Sequence, residues 1–307
     1  MPLISVIIPT RNRAEFLPLA ISSVLAQTFQ DFEIIVVDDA SQDNTAEVVN
    51  SFKDNRIKLL RNSTCRGGSA ARNTAILHSK ADVIAFLDDD DEWFPEKLRL
   101  PFGLLDSSPR SVGVIYTGYL VVERGSGRIL HQRKPLKRGD LSSDLLDGNC
   151  IGGTSIVLGR KECFEKAGLF DERLPSYTDY DLWIRISRVC HFDFIKEPMS
   201  KYYVHKNQIW TNYECLEHGM QMMLAKHGYS RALRKYLAGH FLSLGVKFCE
   251  NDSTKRGRQT FLRGIQLNPL EVRHYFNFLL SLLGSETFKR VKRAKENVLG
   301  QESGRRL

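Results

Sequence analysis

Short apolar runs alternate with segments of helical periodicity along the first 110 residues. Residues 3–8, 32–37, 57–60 and 83–87 are rich in β-branched or apolar side chains and predict four strands. Between them, apolar residues recur three and four positions apart, as they do in helices packed on a sheet. Nearly continuous apolar strands that alternate with helices are typical of a parallel sheet covered on both faces. We therefore expect an α/β fold with a mostly parallel central sheet flanked by helices.

The pattern changes beyond residue 111. Residues 112–122 predict a long strand, Gly125-Ser126-Gly127 a hairpin turn, and residues 129–130 the returning strand. Further strands are expected at 151–158 and 192–195, and helices at 162–167 and 180–189. From Cys215 onward the periodicity is helical. The helices expected there span 215–228, 231–250, 254–267, 271–283 and 285–299.

These patterns divide the chain into predicted parts. We expect a domain over residues 1–214, with a first half at 1–110 and a second half at 111–214, followed by a helical extension over 215–307. The extension is also the basic part of the chain. It carries 17 Lys/Arg and 7 Asp/Glu, a surplus of +10, whereas the net charge of the whole chain is +8. Residues 1–214 therefore carry −2.

Polar residues follow three of the predicted strands. Thr10-Arg11-Asn12 follows the first, Asp38-Asp39 the second and Asp88–Asp91 the fourth. In open parallel sheets, ligands bind beyond the carboxyl ends of the strands. Two carboxylates ~4 Å apart repel by about 4 kcal/mol at an effective dielectric near 20. A divalent cation that holds a phosphorylated substrate would relieve this repulsion at Asp88, Asp90 and Asp91, while a solvated acidic turn is the alternative.

Several other polar residues have two possible interpretations, one in binding or catalysis and one purely structural. Asp39 can accept hydrogen bonds from a base or ribose, or act as a turn residue. Arg72, in the first turn of a helix that begins after Gly67-Gly68, can reach a phosphate or form a surface ion pair. One carboxylate of Tyr177-Thr178-Asp179-Tyr180-Asp181 can serve as a general base, or both can be helix caps. His205 can complete a metal or diphosphate site, or be an ordinary surface or core histidine.

Composition limits the cellular setting. No segment approaches the ~20 consecutive apolar residues of a membrane-spanning helix. The N-terminal residues lack a basic region and a cleavage site, and the six cysteines are scattered, so we expect a cytoplasmic protein with reduced thiols. Because no nucleic-acid-binding module accompanies the basic extension, we expect no nucleic-acid partner. An apolar face at residues 272–283, including Leu280, precedes a basic cluster and indicates either peripheral membrane contact or packing against protein.

Seven ordered segments within residues 3–205 resemble family 2 glycosyltransferases of the GT-A fold. They are SVIIPTRNR (5–13), SVLAQTF (23–29), EIIVVDDAS (33–41), GSAARN (68–73), FLDDDDEW (86–93), GLFDE (168–172) and YDLWIR (180–185). The resemblance implies transfer of a sugar, with inversion, from a nucleoside-diphosphate sugar such as a UDP-sugar to a hydroxyl of a glycan or lipid-linked acceptor. It also implies dependence on Mn²⁺ or Mg²⁺ and a role in cell-surface polysaccharide synthesis.

The resemblance carries over to individual residues. It implies that Pro9, Thr10, Asn12 and Asp39 form the nucleoside pocket, and that Arg72 contacts the base or the diphosphate. Asp88, Asp90 and Asp91 match the Asp-x-Asp metal motif, with Asp90 nearest the ribose and Asp91 the expected ligand. Asp179 falls at the catalytic-base position, where the family usually reads Glu-Asp and this chain reads Thr178-Asp179. His205 is the further metal-site candidate.

Two other functions fit the same sequence features. A catalytically silent protein that binds nucleotide sugars would need the pocket but not the catalytic carboxylates, all of which this chain keeps. A nucleotidyltransferase also uses metal-bound carboxylates on a related sheet, but usually has a glycine-rich loop after its first strand. Here that loop is Thr10-Arg11-Asn12-Arg13, without glycine.

Overall fold

The structure is a computed structural model that describes residues 1–205, 212–228 and 230–303, with side chains described as far as residue 294. The chain folds into two compact units, Met1–Gln208 and Ile209–Leu307. The sequence places a boundary at 214/215, six residues later; the assignment of domain roles to the parts of the chain stays a prediction.

The first unit is built on one mixed sheet. Along the sheet the strands follow the order β3-β2-β1-β4-β8-β6-β9-β5, and β7 pairs with β6 outside this path. The strands are β1 (Ile4–Thr10), β2 (Phe32–Asp38), β3 (Ile57–Arg61), β4 (Val83–Phe86), β5 (Glu92–Trp93), β6 (Val112–Glu123), β7 (Ile129–Arg133), β8 (Val157–Arg160) and β9 (His191–Val204).

Helices cover this sheet. They are α1 (Leu17–Leu25), α2 (Thr45–Ser51), α3 (Gly68–His78), α4 (Arg99–Ser107), α5 (Asp144–Asp147), α6 (Lys161–Ala167) and α7 (Thr178–Ile186), with a 3₁₀ turn at Thr154–Ile156. The expected α/β fold is confirmed. Strands β3, β2, β1 and β4 are mutually parallel, and every residue of β1, β2 and β4 is buried.

Pro9 does not end β1, contrary to the strand predicted over residues 3–8. The strand continues to Thr10. The backbone N–H of Leu87 donates to the carbonyl of Ile7, so the polar backbone groups of Ile7 point toward β4. Because strand residues alternate, the backbone of Pro9 faces the same way. Since β4 ends at Phe86, opposite Ile7, the missing N–H of Pro9 deprives no neighbouring strand of a hydrogen bond. Thr10 is thereby carried to the sheet edge.

The second half of the sheet differs in length from the prediction. The hairpin at Gly125–Gly127 is confirmed, because β7 pairs antiparallel with β6. The strand expected at 192–195 is the beginning of β9, which has 14 residues and runs parallel to β6. The strand expected at 151–158 is instead a 3₁₀ turn followed by the short β8. The long β9 delivers Tyr203 and His205 to the end of the sheet where the acidic run lies.

The second unit is helical, as predicted. Its helices are α8 (Tyr213–His227), α9 (Arg231–Glu250), α10 (Thr254–Leu267), α11 (Val272–Leu282) and α12 (Ser285–Ser303). A small apolar core joins four of their buried side chains: Cys249, Phe261, Leu280 and Phe288. Among the described residues of both units, none of the helices has the length and apolarity needed to cross a membrane.

Candidate active site

The carboxyl ends of β1, β2 and β4 bring the predicted polar residues to one edge of the sheet. Thr10 is the last residue of β1 and Asp39 directly follows β2, while Asp88–Asp91 lie in a turn beyond β4. Because β4 ends at Phe86, strand alternation does not apply to the acidic run, and each aspartate has its own set of partners.

Asp89 is tied to the loop after β1. Its side chain accepts hydrogen bonds from Thr10 Oγ1 at 2.7 Å and from Arg13 Nη1 at 3.0 Å. Burial raises the pKa of Asp89 from 3.8 to about 6; the charge of Arg13 opposes this rise and that of Asp90 adds to it. Thr10, which the resemblance assigns to the nucleotide, therefore also supports the acidic turn.

Asp90 lies between two nitrogen groups. Its Oδ2 accepts from Arg13 Nη1 at 2.8 Å and lies 2.9 Å from His205 Nε2. The His205 ring is 5.3 Å from the ring of Phe16, and Arg124 donates to the backbone carbonyl of Asp90 at 3.1 Å. His205 thus contacts the acidic run through Asp90, and its role in a metal or diphosphate site stays a prediction.

Asp91 is the most deeply buried member of the acidic run, with 1% of its surface exposed. Ser155 Oγ donates to one carboxylate oxygen at 2.6 Å, and the backbone N–H of Tyr203 donates to the other at 3.3 Å. Burial, reinforced by the negative charges of Asp88 and Asp90, holds the pKa of Asp91 well above its usual value. An added positive charge near these three groups would stabilise the ionised form of Asp91.

Arg72 pairs with Asp88. Its Nη2 is 2.5 Å from Asp88 Oδ1, which also accepts from Thr154 Oγ1 at 3.0 Å. The Arg72 guanidinium lies 5.6 Å from the centre of the Phe170 ring. Within the described residues, Arg72 Nε is buried with no hydrogen-bond partner. A buried guanidinium with an unused donor can accept an anionic ligand without losing an existing bond at that atom.

The acidic run has the donor chemistry of a site for a hard cation. Asp88, Asp90 and Asp91 supply carboxylate oxygens, the ligands that Mg²⁺ and Mn²⁺ prefer, and their charges act on one another. Among the described residues, however, no group of three or more His, Cys, Asp or Glu side chains is already arranged around a metal position. Arg13, Arg72 and His205 pair with Asp90 and Asp88 instead. The donors fit a metal, and binding one would require these pairs to rearrange.

Asp39 and Asn12 organise loops at the predicted nucleoside pocket, where Pro9 is buried in β1. Asp39 accepts from Asn62 Nδ2 at 2.8 Å and from the backbone N–H groups of Arg66 and Gly67, the latter at 2.7 Å. Burial works to raise the pKa of Asp39, but these hydrogen bonds outweigh it and hold the pKa below 3.8. Asn12 has a positive φ of 50° and accepts from the Gln42 N–H, and α1 begins only at Leu17.

Asp179 lies in the first turn of α7, after Tyr177 in the left-handed conformation. One carboxylate oxygen accepts from the Tyr180 N–H at 2.7 Å. Some of its surface is accessible, yet the group is enclosed by protein atoms, and this desolvation raises its pKa from 3.8 to about 6. The charges of Arg72 and Asp88 also act on this pKa, in opposite directions, so Asp179 lies near that pair.

Asp181 differs from Asp179 in its environment. It is fully buried and its Oδ2 accepts from Arg185 Nε at 2.9 Å, one helical turn away. The sequence leaves open which of the two carboxylates is a base and which is structural. The ion pair with Arg185 accounts for Asp181 as a structural group, and the base role of Asp179 stays a prediction.

Four residues of the site carry no predicted role in the sequence. Arg13 bridges Asp89 and Asp90, Ser155 and the Tyr203 backbone hold Asp91, and Arg124 stacks over the Phe16 ring at 3.9 Å. Ser155, Tyr203 and Arg124 come from elements that fold back to the acidic run from far along the chain. No local sequence signal marks them, whereas Arg13 stands in the quoted loop after β1.

The sequence matches the family model described as "Glycosyl transferase family 2" over residues 5–167. An uncharacterized glycosyltransferase of Rickettsia prowazekii (strain Madrid E) is 33% identical over 211 residues, which cover 67% of this chain and 65% of that protein. The Escherichia coli protein WfgD, named UDP-Glc:alpha-D-GlcNAc-diphosphoundecaprenol beta-1,3-glucosyltransferase, is 33% identical over 215 residues, 68% of this chain and 80% of WfgD.

Solved structures agree with the observed fold. Staphylococcus aureus TarS 1-349 in complex with UDP-GlcNAc aligns over 94% of this chain and 92% of that one, with a TM-score of 0.64 and 18% sequence identity.

Three other Rickettsia relatives are longer than this chain, which spans 35%, 30% and 35% of their lengths.

Proposed function

Because this chain belongs to glycosyltransferase family 2, we propose that it transfers a sugar from a nucleoside-diphosphate sugar to an acceptor hydroxyl. We take UDP as the favoured nucleotide and inversion at the anomeric carbon as the stereochemical outcome. The acceptor is a glycan or a lipid-linked glycan of cell-surface polysaccharide synthesis. WfgD, named for a diphosphoundecaprenol-linked substrate, supports the lipid-linked class.

The observation that carries this proposal is the position of Asp179. The charges of Arg72 and Asp88 act on the Asp179 carboxylate, and Arg72 pairs with Asp88, which supports a candidate base and a candidate phosphate-binding cation at one site. Transfer to a hydroxyl needs both, because the acceptor must lose a proton while negative charge builds on the leaving diphosphate. Asp179 takes the acceptor proton in this scheme, and its raised pKa of about 6 makes it a stronger base than an ordinary aspartate.

Asp88, Asp90 and Asp91 would hold Mn²⁺ or Mg²⁺, with His205 as a further candidate ligand. When bound, such an ion neutralises charge on a diphosphate. Arg72 adds a fixed positive charge and a buried N–H donor that is unused among the described residues. Pro9, Thr10, Asn12 and Asp39 would line the nucleoside pocket, where Asp39 fixes the Arg66–Gly67 turn. Asp90 would contact the ribose.

The basic helices of the second unit provide the proposed contact with the membrane that holds a lipid-linked acceptor. We place the protein at the cytoplasmic side, with this contact peripheral. Helices that lie on a membrane rather than cross it combine an apolar face with basic residues.

Incubation with labelled sugar nucleotides tests the proposal. UDP-glucose, UDP-N-acetylglucosamine and GDP-mannose are offered with Mn²⁺ and a polyprenyl-diphosphate sugar acceptor. Transfer of label to the acceptor with release of the nucleoside diphosphate is the expected result. Release of pyrophosphate would instead identify a nucleotidyltransferase, and binding without turnover a silent nucleotide-sugar-binding protein. The Asp179→Asn variant serves as the control for enzyme-dependent transfer.

A further inference from the structure

Helix α11 packs with its apolar side outward. Its side chains at residues 272, 275, 276, 279, 282 and 283 follow helical spacing on one face. Val272 is 73% exposed, Phe276 55% and Leu279 61%. We call the whole set the apolar α11 face: Val272, Tyr275, Phe276, Leu279, Leu282 and Leu283. A helix of a globular protein ordinarily turns such a face toward the core.

The buried side of α11 is largely polar. His274, Asn277 and Ser281 are each at most 4% exposed. Gly264 of α10 makes room for the His274 ring, since a Cβ atom at that glycine would lie 2.0 Å from Cε1 of the ring. Asn277 Nδ2 donates to the Arg273 carbonyl within the helix at 2.7 Å. Close packing at Gly264 therefore fixes the rotation of α11 and leaves its apolar face outward.

Leu280 is an exception to the face that the sequence predicts. It is 8% exposed and packs with Phe261 and Phe288 in the core of the second unit. This apolar anchor holds the helix while its neighbours Leu279 and Leu283 stay exposed. An exposed set of six large apolar side chains on one helix is characteristic of a surface that meets a membrane or another protein.

Positive charge follows the apolar α11 face along the chain. Helix α12 follows Leu283 within two residues and carries Lys289, Arg290, Lys292 and Arg293. Lys289, Lys292 and Arg293 line a cleft of about 290 Å³ together with Glu250. Residues 215–307 hold a surplus of ten positive charges, 17 Lys/Arg against 7 Asp/Glu. An anionic lipid surface attracts such a unit, whereas a second copy of the same unit repels it.

We propose that the apolar α11 face inserts into the interfacial layer of an anionic membrane, with Arg290 and Arg293 of α12, which are both exposed, contacting lipid phosphates. This deepens the proposed function and rests on it for one point, that the acceptor is lipid-linked. Its physical basis is independent of the reaction. Burial of the apolar side chains supplies most of the membrane affinity, and each cation near the surface raises the affinity for anionic lipid roughly five-fold.

Vesicle flotation of the full chain tests this surface. The probes are vesicles of phosphatidylcholine alone and of phosphatidylcholine mixed with phosphatidylglycerol. We expect the protein to float with the mixed vesicles and to be released in part by high salt. The Phe276→Gln/Leu279→Gln variant should lose on the order of 100-fold in vesicle affinity, about ten-fold for each side chain. Both positions are exposed, so the fold has no reason to change.

Matched variants separate insertion from general surface effects. Leu77→Gln replaces a leucine that is 65% exposed on α3, in the first unit, and should float like the wild type. Arg290→Gln/Arg293→Gln should weaken flotation on mixed vesicles specifically. The proposal is overturned if the wild-type protein stays at the bottom of the gradient. It is also overturned if the Phe276→Gln/Leu279→Gln variant floats as well as the wild type. Light scattering that shows a wild-type dimer and a monomeric variant overturns it too, because a second copy then covers the face.

The two proposals fail in different ways. Sugar transfer to the polyprenyl-diphosphate sugar acceptor is measured on the same wild-type and variant preparations, with the acceptor in detergent and no vesicles. Flotation without any turnover leaves the membrane surface standing and rejects the proposed function. Turnover without flotation supports the proposed sugar transfer and rejects the membrane surface, together with the peripheral membrane contact of the basic helices.

Discussion

Replacing Asp179 with asparagine should remove catalysis while making the protein more stable. Asparagine has nearly the same shape, and its amide oxygen can still accept from the Tyr180 N–H. The change removes the carboxylate that, in the proposed mechanism, takes the proton from the acceptor hydroxyl. General-base catalysis contributes about 10²–10⁴-fold, so transfer should fall by that factor while nucleotide affinity survives.

The stability gain follows from the raised pKa of Asp179. Its pKa rises from 3.8 to about 6 on folding, and each pH unit corresponds to about 1.4 kcal/mol. Because the folded pKa is the higher one, the folded state binds the proton more tightly, and stability is lost as pH rises from about 4 to 6. Above pH 6 the loss reaches its full value of about 3 kcal/mol. Asparagine does not ionise, so the variant should escape this loss.

Urea unfolding at pH 5 and pH 8 measures the effect. The variant should gain about 3 kcal/mol at pH 8 and roughly half of that at pH 5. Asp106→Asn, at an exposed position of α4, should change neither stability nor transfer. In the wild type, the acidic limb of the pH–rate profile should have an apparent pKa near 6. Undiminished transfer by Asp179→Asn would refute the base role, and an equal or lower stability at pH 8 would refute the desolvation of this carboxylate.

Three further changes test other parts of the molecule. We expect manganese to raise the affinity of the wild type for UDP and Asp91→Ala to abolish this gain. Calorimetry with and without the metal would contradict this by finding the same gain in both proteins. Arg72→Met should lower turnover on the order of 10²-fold because the leaving diphosphate loses a cation, and steady-state kinetics should find part of that loss restored in Arg72→Lys. An unchanged rate in Arg72→Met would exclude the role. Lys97, fully buried over the Trp93 ring at 5.2 Å, has no hydrogen-bond partner for its Nζ among the described residues, and burial lowers its pKa from 10.5 to about 7. Because Lys97 binds its proton more tightly in the unfolded state, wild-type stability should rise between about pH 7 and pH 10. Lys97→Met should be more stable than the wild type by a few kcal/mol at pH 7 and should lose that pH dependence. Unfolding of both proteins at pH 7 and pH 10 checks this.

The fold was predictable where local sequence and tertiary packing agree. Strands β1, β2 and β4 are buried on both faces, so their continuous apolar runs identify them. The long β9 was not predictable, because much of it is polar or only partly buried; pairing with β6 keeps it extended as far as Val204. Pro9 is a similar case. Only the early end of β4 explains why a proline continues a central strand.

Candidate site residues were predictable where they follow strands of the parallel half. The chain itself positions Thr10, Asp39 and the Asp88–Asp91 run, because parallel strands end at the same edge. The partners of those groups were not. Ser155 and the Tyr203 backbone reach Asp91 across 64 and 112 residues of sequence. The outward orientation of the apolar α11 face was not predictable either. The periodicity identifies the face, but only the packing of His274 against Gly264 turns that face away from the core.

The central claim is that Asp88, Asp90 and Asp91 gather a divalent cation that holds the diphosphate of a sugar nucleotide. The most direct test is anomalous diffraction at the manganese edge from a crystal soaked with manganese and UDP. We expect an anomalous peak bonded to Asp91 and to diphosphate oxygens, with the Arg13 and His205 pairs to Asp90 rearranged. A bound UDP with no peak beside the acidic turn, and with those pairs intact, would contradict the claim.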